Sequence, residues 1–344
     1  MNKKLIALAI AGAFAAPMAM AQTANPVTLY GRVHLTFEQV EVKGQASKRT
    51  RIQDQASLLG VRGTEDLGGG LKVFFQLETA FNPESTSGTF AGRNSGVGLQ
   101  GGWGSLLMGR WDTPYKSATT AIDPFGDVTI GGITMANNDQ GNFDRRDPNV
   151  VQYWSPNWGG FAFRAQFQTE DSKAAANPRD YSYSVTWSRG PVYIYGAYEE
   201  HKDQVGNVAT AGAKEKGMSV GGTFAFGPVK IGGNWQTYEK SGRTDKDSWL
   251  ANIVWTLGNH QLIGQFQKSE EGGLNTANAR QPECDVGTLA WQYNFSRRTF
   301  TQLIYTKVDN NEVANCGSPN SGWGGLVTAG GDPQGWSLGL RHTF

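Results

Sequence analysis

Gly217-Met218-Ser219-Val220-Gly221 has the Gly-x-Ser-x-Gly spacing that presents a serine nucleophile when it sits on a sharp strand-to-helix turn. Ser219 instead lies inside an alternating run with no helix after it. The four histidines, His34, His201, His260 and His342, are scattered along the chain with no evident serine-acid company. No catalytic residue is therefore assigned, and the chain is not read as an enzyme. Gly96-Val97-Gly98-Leu99-Gln100-Gly101 matches a phosphate-cradling Gly-x-Gly-x-x-Gly, again without the strand-turn-helix setting that gives the motif meaning. Glycines in a strand more simply bend it or admit a close neighbour. The histidines also lack His-x-x-x-His ligand spacing, so neither a metal nor a cofactor is expected.

The elements that hold these residues are strands. In Trp249 to Leu257 the odd-numbered positions Trp249, Ala251, Ile253, Trp255 and Leu257 form one apolar face, and Asn252 and Thr256 lie on the other. Leu289 to Phe295 repeats the pattern, with the odd positions again apolar. In Phe161 to Gln168 the polar set is Arg164, Gln166 and Gln168. About sixteen such runs can be read between turn signals, each near the ~9 to 11 residues that a tilted strand needs to cross a bilayer. Short links such as Arg189-Gly190-Pro191, Gly227-Pro228 and Gly258-Asn259 alternate with longer polar ones: Asp171 to Asp180, His201 to Glu215, Glu270 to Glu283 and Asn310 to Gln334. That asymmetry is expected of an outer-membrane barrel and implies an even number of strands.

Both ends of the chain agree. Met1 to Ala21 reads as a signal peptide, with Lys3 and Lys4, an apolar stretch from Leu5 to Ala16, and Ala19-Met20-Ala21 as the cleavage site. Residues 22–344 then form a single barrel domain, whose last strand alternates from Trp336 to Phe344, a terminal aromatic membrane anchor. Composition fits: mean hydropathy is −0.44, yet the chain has 46 Gly, 11 Trp, 11 Tyr and 17 Phe. A barrel wall spends half its residues on a polar lumen while aromatic girdles and tight turns raise those counts. Removing Lys3 and Lys4 from 31 basic side chains leaves one fewer than the 30 acidic ones. This near-neutral balance argues against a nucleic-acid partner.

The fold expected is a 16-stranded antiparallel transmembrane β-barrel with a long third loop folded into the pore. Sixteen strands leave an aqueous channel, whereas eight are filled by their own side chains. The third long link, from about Tyr115 to Asp147, is long enough to suggest a functional role. Cys284 and Cys316 fall in neighbouring long links, the seventh and the eighth. In an oxidising compartment a disulfide between them is expected; the alternative is two thiols whose Cα atoms stand too far apart to bridge.

Val27-Thr28-Leu29-Tyr30-Gly31-Arg32, Gly60 to Gly68, Leu71 to Glu78, Tyr153 to Phe161 and the terminal Leu340-Arg341-His342-Thr343-Phe344 closely resemble the trimeric general porins of Gram-negative bacteria. The resemblance implies a homotrimer in the cell outer membrane, in contact with lipid and lipopolysaccharide. It also implies passive diffusion of small hydrophilic solutes and ions, and a third loop facing a cluster of basic wall residues. Arg32 has lumen parity with Thr28 and Tyr30. Arg146 shares parity against Val151 and Tyr153 and is similar to the family's basic residue after the constriction loop. Arg110 resembles a pore-lining arginine, although Leu106 and Met108 share its face, so a bulge or an interface would be needed. Position 58, basic in many members, is Leu58 here.

With Lys72 and Arg164, these arginines form the expected lumen bases, set against Glu78 and the loop carboxylates Asp123 and Asp127. Such an arrangement sets up a transverse field whose surplus sign biases which ions enter. A weak anion preference is expected. A channel preferring small organic anions is the alternative; a barrel enzyme would require a convergent serine, histidine and acid or amide constellation, and an adhesin or structural anchor would need no open lumen at all.

Overall fold

The structure is a computed structural model that describes residues 27–43, 47–85, 88–126, 129–137, 143–169, 178–205, 208–240, 246–270, 282–317 and 327–344. The expected leader, Met1 to Ala21, and the loop residue Asp127 lie outside the described residues.

Among the described residues, eighteen strand segments run in chain order: β1 Thr28–Lys43, β2 Ser47–Asp54, β3 Leu58–Gly68, β4 Leu71–Phe81, β5 Gly88–Thr89, β6 Ser95–Gly101, β7 Gly104–Asp112, β8 Arg146–Trp154, β9 Phe161–Gln168, β10 Arg179–Arg189, β11 Val192–Val205, β12 Val208–Phe226, β13 Val229–Lys240, β14 Lys246–Leu257, β15 His260–Ser269, β16 Cys284–Asn294, β17 Thr299–Asn310 and β18 Asp332–Thr343. β2 and β3 both pair with β1, and β5 and β6 both pair with β4. Each couple is therefore one interrupted strand, and the segments make a 16-stranded antiparallel barrel. β1 closes it against β18, from Arg32 opposite Thr343 to Lys43 opposite Asp332. Closure pairs the edge strands, so neither presents unpaired backbone donors to lipid.

Alternation sets the facing. On β14, Ser248, Leu250 and Asn252 are buried inward, while Ala251, Ile253, Trp255 and Leu257 are exposed on the outer wall. On β9, Gln166 and Gln168 are buried and Phe161, Phe163 and Phe167 are exposed. The short links are tight hairpins: Leu257 faces His260 across Gly258-Asn259, where Gly258 takes φ of 60°, a backbone conformation that a side chain would oppose. At the closing seam the Gly31 N–H donates to the Phe344 carbonyl at 3.1 Å, and the Phe344 N–H donates back at 3.0 Å. The Phe344 ring occupies the space a Cβ at Gly31 would need, 2.6 Å from where it would sit.

One expected long link is instead strand. Between His201 and Glu215, β11 continues to Val205 and β12 resumes at Val208. Here both faces of the hairpin are polar: Glu199, His201 and Glu215 are fully buried inward, while Glu200 bonds Lys202 and Lys214 on the other face. Without an apolar face the sequence shows no alternation and reads as loop.

Candidate functional site

The third loop leaves β7 at Thr113, whose Oγ1 accepts the Lys116 N–H at 3.1 Å and caps a short helix, α1, Pro114–Thr119. Proline at the start suits α1 because the first turn has no use for its missing N–H. A 3-10 turn, Thr120–Ile122, follows, and a second short helix, α2, spans Thr134–Asn137. Inward side chains of the wall hydrogen-bond to several of its described residues. The Tyr115 N–H donates to Ser182 Oγ at 3.0 Å, and Asn252 Nδ2 donates to the Ile122 carbonyl at 3.0 Å. Gln265 Nε2 donates to the Gly131 carbonyl at 2.7 Å, and Gln267 Nε2 to that of Gly132 at 3.0 Å.

Two apolar clusters accompany these bonds. Phe125, Ile130, Met135 and Ala136 of the loop pack with Val40, Ile263, Val286, Ile304 and Val308 of the wall. Tyr115, Ala118, Ile122, Ile133 and Phe143 pack with Tyr195, Ala197, Tyr238 and Leu250. Burial of this apolar area supplies the main attraction and the hydrogen bonds fix register. Cys284 and Cys316 are bonded, with Cα atoms 6.4 Å apart, and Cys316 belongs to the first cluster. Beside it, the Gly317 N–H donates to the Met135 carbonyl at 3.1 Å, which ties the eighth loop to α2.

The expected charged residues divide into several settings. Asp123 is buried and bonds within the loop: its carboxylate accepts the N–H groups of Phe125 at 2.9 Å and Ile133 at 2.8 Å. Arg32 Nε donates to the Ala56 carbonyl at 2.8 Å, with Leu58 directly across the ladder. Lys72 is exposed near the short-turn end, opposite Asp66 and Gln100, well removed from the loop along β4. For Arg110 and Arg146, alternation is interrupted by a β-bulge between Gly109 and Trp111, where β8 carries an extra residue and Asn149 takes φ of 55°. Contacts place them instead. Arg110 Nε donates to the Gly92 carbonyl at 2.9 Å, while Arg146 pairs with Asp112 at 2.8 Å and bonds Asn94 Oδ1 at 2.7 Å.

Further ion pairs were not picked out from the sequence. Arg93 meets Glu78 at 2.7 Å, and Arg51 meets the buried Glu38 at 2.9 Å. Arg145 bridges Asp147 at 2.5 Å and Asp180 at 2.9 Å. Burial opposes the Arg145 charge, but the two carboxylates outweigh it and raise the pKa above its ordinary value. Three lumen-parity arginines lie on aromatic rings and make no ion pair among the described residues: Arg62 over Tyr30 at 4.9 Å, Arg164 over Trp154 at 5.2 Å and Arg341 over Phe300 at 5.5 Å. Of these, only Arg164 was singled out from the sequence. The signal for Arg62 was available, because it shares parity with Leu58 and Gly60 on β3.

Ser219 of the Gly-x-Ser-x-Gly run lies within β12, and its hydroxyl bonds that of Tyr195 at 2.8 Å. The turn a nucleophile requires is absent there. Among the described residues no group of three or more His, Cys, Asp or Glu could hold a metal ion.

The Gram-negative porin family matches residues 7–313. The chain is 30% identical to outer membrane porin protein 32 of Delftia acidovorans over 362 aligned residues, covering 100% of both. It is also 30% identical to the major outer membrane protein P.IA of Neisseria meningitidis serogroup C, over 82% of this chain and 74% of that protein. Among solved structures, the anion-selective porin from Comamonas acidovorans superposes with a TM-score of 0.79 at 25% identity, over 93% of this chain and 100% of that one. The trimer form of OmpT of Vibrio cholerae shares the fold, with a TM-score of 0.68 at 15% identity over 93% and 100% of the two chains. The strand order, the closed seam and these matches along the chain's length agree, and the chain belongs to the Gram-negative porin family, the diffusion channels of the outer membrane.

Proposed function

We propose that the third loop, Thr113 to Arg145, lies inside the barrel as its constriction, and that small hydrophilic solutes pass beside it with a weak preference for anions. One observation carries the reading: the loop's bonds and apolar contacts run to one side, chiefly the β10–β17 wall and β1. Solutes then pass the opposite wall, along β3 to β9. Glu38, Glu78 and Asp112 are neutralised by arginines, while Arg62, Arg164 and Arg341 face the lumen on aromatic rings without carboxylate partners among the described residues. The surplus is cationic, and in a narrow aqueous passage it raises the local concentration of anions. The name of the Comamonas acidovorans porin records the same preference in that protein.

The reading includes export under the Met1 to Ala21 leader, a homotrimer in the membrane, and lipid and lipopolysaccharide around it. Exposed Leu59, Leu77, Val97, Leu99, Leu106 and Met108 give the outer wall of β3 to β7 a continuous apolar face suited to a second protomer or to lipid. The trimer form of OmpT is a precedent in that protein. The test is planar-bilayer conductance in symmetric salt and then in a salt gradient, on the wild type and on a variant lacking Gly131 to Asn138. Larger conductance in the variant and an anion-favouring reversal potential in the wild type are expected. Unchanged conductance would remove the constriction, and a cation-favouring potential would remove the selectivity.

A further inference from the structure

We propose that the lumen wall carries a built site for small aromatic carboxylates, deepening the anion-channel reading on which it rests. Below the third loop, toward the short-turn end, a cavity of about 420 Å³ is lined by Arg62, Phe74, Gln76, Gln100, Trp111 and Trp154. That volume lies within the range of small-molecule sites. Arg62, Phe74, Gln76, Gln100 and Trp154 have lumen parity on their strands, Trp111 joins them by its contact with Trp154, and three of the six are large aromatic rings where a solvated wall would carry polar groups. Trp154 stacks with Phe74 at 6.1 Å and 27°, and Trp111 meets Trp154 at 5.5 Å and 56°. The three rings form a continuous shelf.

Two donors at the shelf are already engaged. The Trp154 indole N–H donates to Gln152 Oε1 at 2.8 Å, and Gln76 Nε2 donates to the Asn94 carbonyl at 3.0 Å. Thr28, Thr64, Gln100 and Ser105 add polar groups to the cavity lining, but the three rings offer a sugar chiefly their faces. Ring faces bordered by one guanidinium suit a different solute, a flat apolar body bearing a single negative group. Arg62 supplies that guanidinium: it is exposed to the lumen, rests on Tyr30, and has no carboxylate partner among the described residues. Arginine can take a carboxylate with two parallel hydrogen bonds. On the other side of Trp154, Arg164 lines a second cavity with Ser105, Ser117 and Ser184. An aromatic anion released from the shelf would meet a second cation before reaching the pore mouth.

The experiment uses the refolded channel in a planar bilayer, recording chloride current while benzoate, acetate or cyclohexanecarboxylate is added. Benzoate should lower the current saturably at concentrations where acetate does not, and cyclohexanecarboxylate should be weaker because it cannot stack. Arg62→Gln should raise the half-blocking benzoate concentration about tenfold. Trp154→Leu should raise it about fivefold and abolish the preference over cyclohexanecarboxylate. Benzoate and acetate acting alike, or variants matching the wild type while conducting chloride normally, would overturn the site and leave the channel standing. A protein that conducts nothing in potassium chloride alone would sink the channel reading, and the site with it.

Discussion

Replacing Gln265 and Gln267 together by leucine tests whether the third loop is docked in the lumen. Each amide donates to a loop carbonyl, at 2.7 Å to Gly131 and 3.0 Å to Gly132. Leucine keeps the bulk but cannot donate. At about 1 kcal/mol for each bond, the docked state loses about 2 kcal/mol, and leaving the carbonyls buried and unpaired adds to that. The population of the undocked loop should therefore rise at least about thirtyfold. Because the apolar clusters still hold, the loop should remain mostly docked and the change should appear as excursions. Single-channel records should show brief steps to a higher conductance, and limited proteolysis within the loop should accelerate by a similar factor, since cleavage follows the open population when reclosing is fast. Adding Phe125→Ala, which empties a buried site at a cost of roughly 3 to 5 kcal/mol, should make the larger conductance the dominant level. If the triple variant folds and conducts like the wild type and is no more sensitive to protease, the docking argument fails.

Three other outcomes are expected. Arg62→Gln, Arg164→Gln and Arg341→Gln should each lower the anion-to-cation permeability ratio about twofold at ~0.1 M salt, taking a charge about 8 Å from the ion path. The effect should vanish near 1 M, where screening shortens to about 3 Å, and reversal potentials at the two salt levels check it. Reduction, or Cys284→Ser with Cys316→Ser, releases a loop closed across a sequence separation of 32. It should cost up to about 4 kcal/mol of stability, seen as a lower denaturant midpoint; alkylation of both cysteines without prior reduction would remove the bond itself. Gly31→Val places atoms 2.6 Å from the Leu58 carbonyl and the Phe344 ring, so it should destabilise the seam by roughly 1 to 3 kcal/mol and lower the yield of folded barrel in membranes. Normal assembly of that variant would show the terminal ring to be dispensable.

The barrel was legible because lipid imposes a strict demand on one face of every strand, and odd-numbered runs such as Trp249 to Leu257 answer it. The lumen makes no such uniform demand, and departures from expectation gather there. Val40, Ile263, Val286, Ile304 and Val308 are inward yet apolar, since the third loop covers them and keeps water away. Alternation weakens in those strands for a reason that lies far off in the sequence. The link from His201 to Glu215 was hidden in the opposite manner, with both faces polar. Parity gives Arg32 and Arg164 an assignment from their strands alone, but at Arg146 and Arg110 the β7–β8 bulge interrupts the alternation on which parity depends. Asp123 was read as a field-setting carboxylate from its position in the loop. Its bonds to two loop N–H groups depend on a backbone path that no local pattern specifies.

The pairing of β1 with β18 also governs the order in which the molecule can be made. Every other neighbouring pair joins strands that follow one another along the chain, so it can form soon after its two strands are available. The seam joins opposite ends of the chain, so the loop-closure entropy it must overcome is the largest in the molecule. Until β18 arrives, β1 presents a long row of unpaired backbone groups, an open template for a foreign strand. The reciprocal bonds between Gly31 and Phe344 thus close the end of the seam, and a chain interrupted before β18 would keep its most adhesive edge exposed.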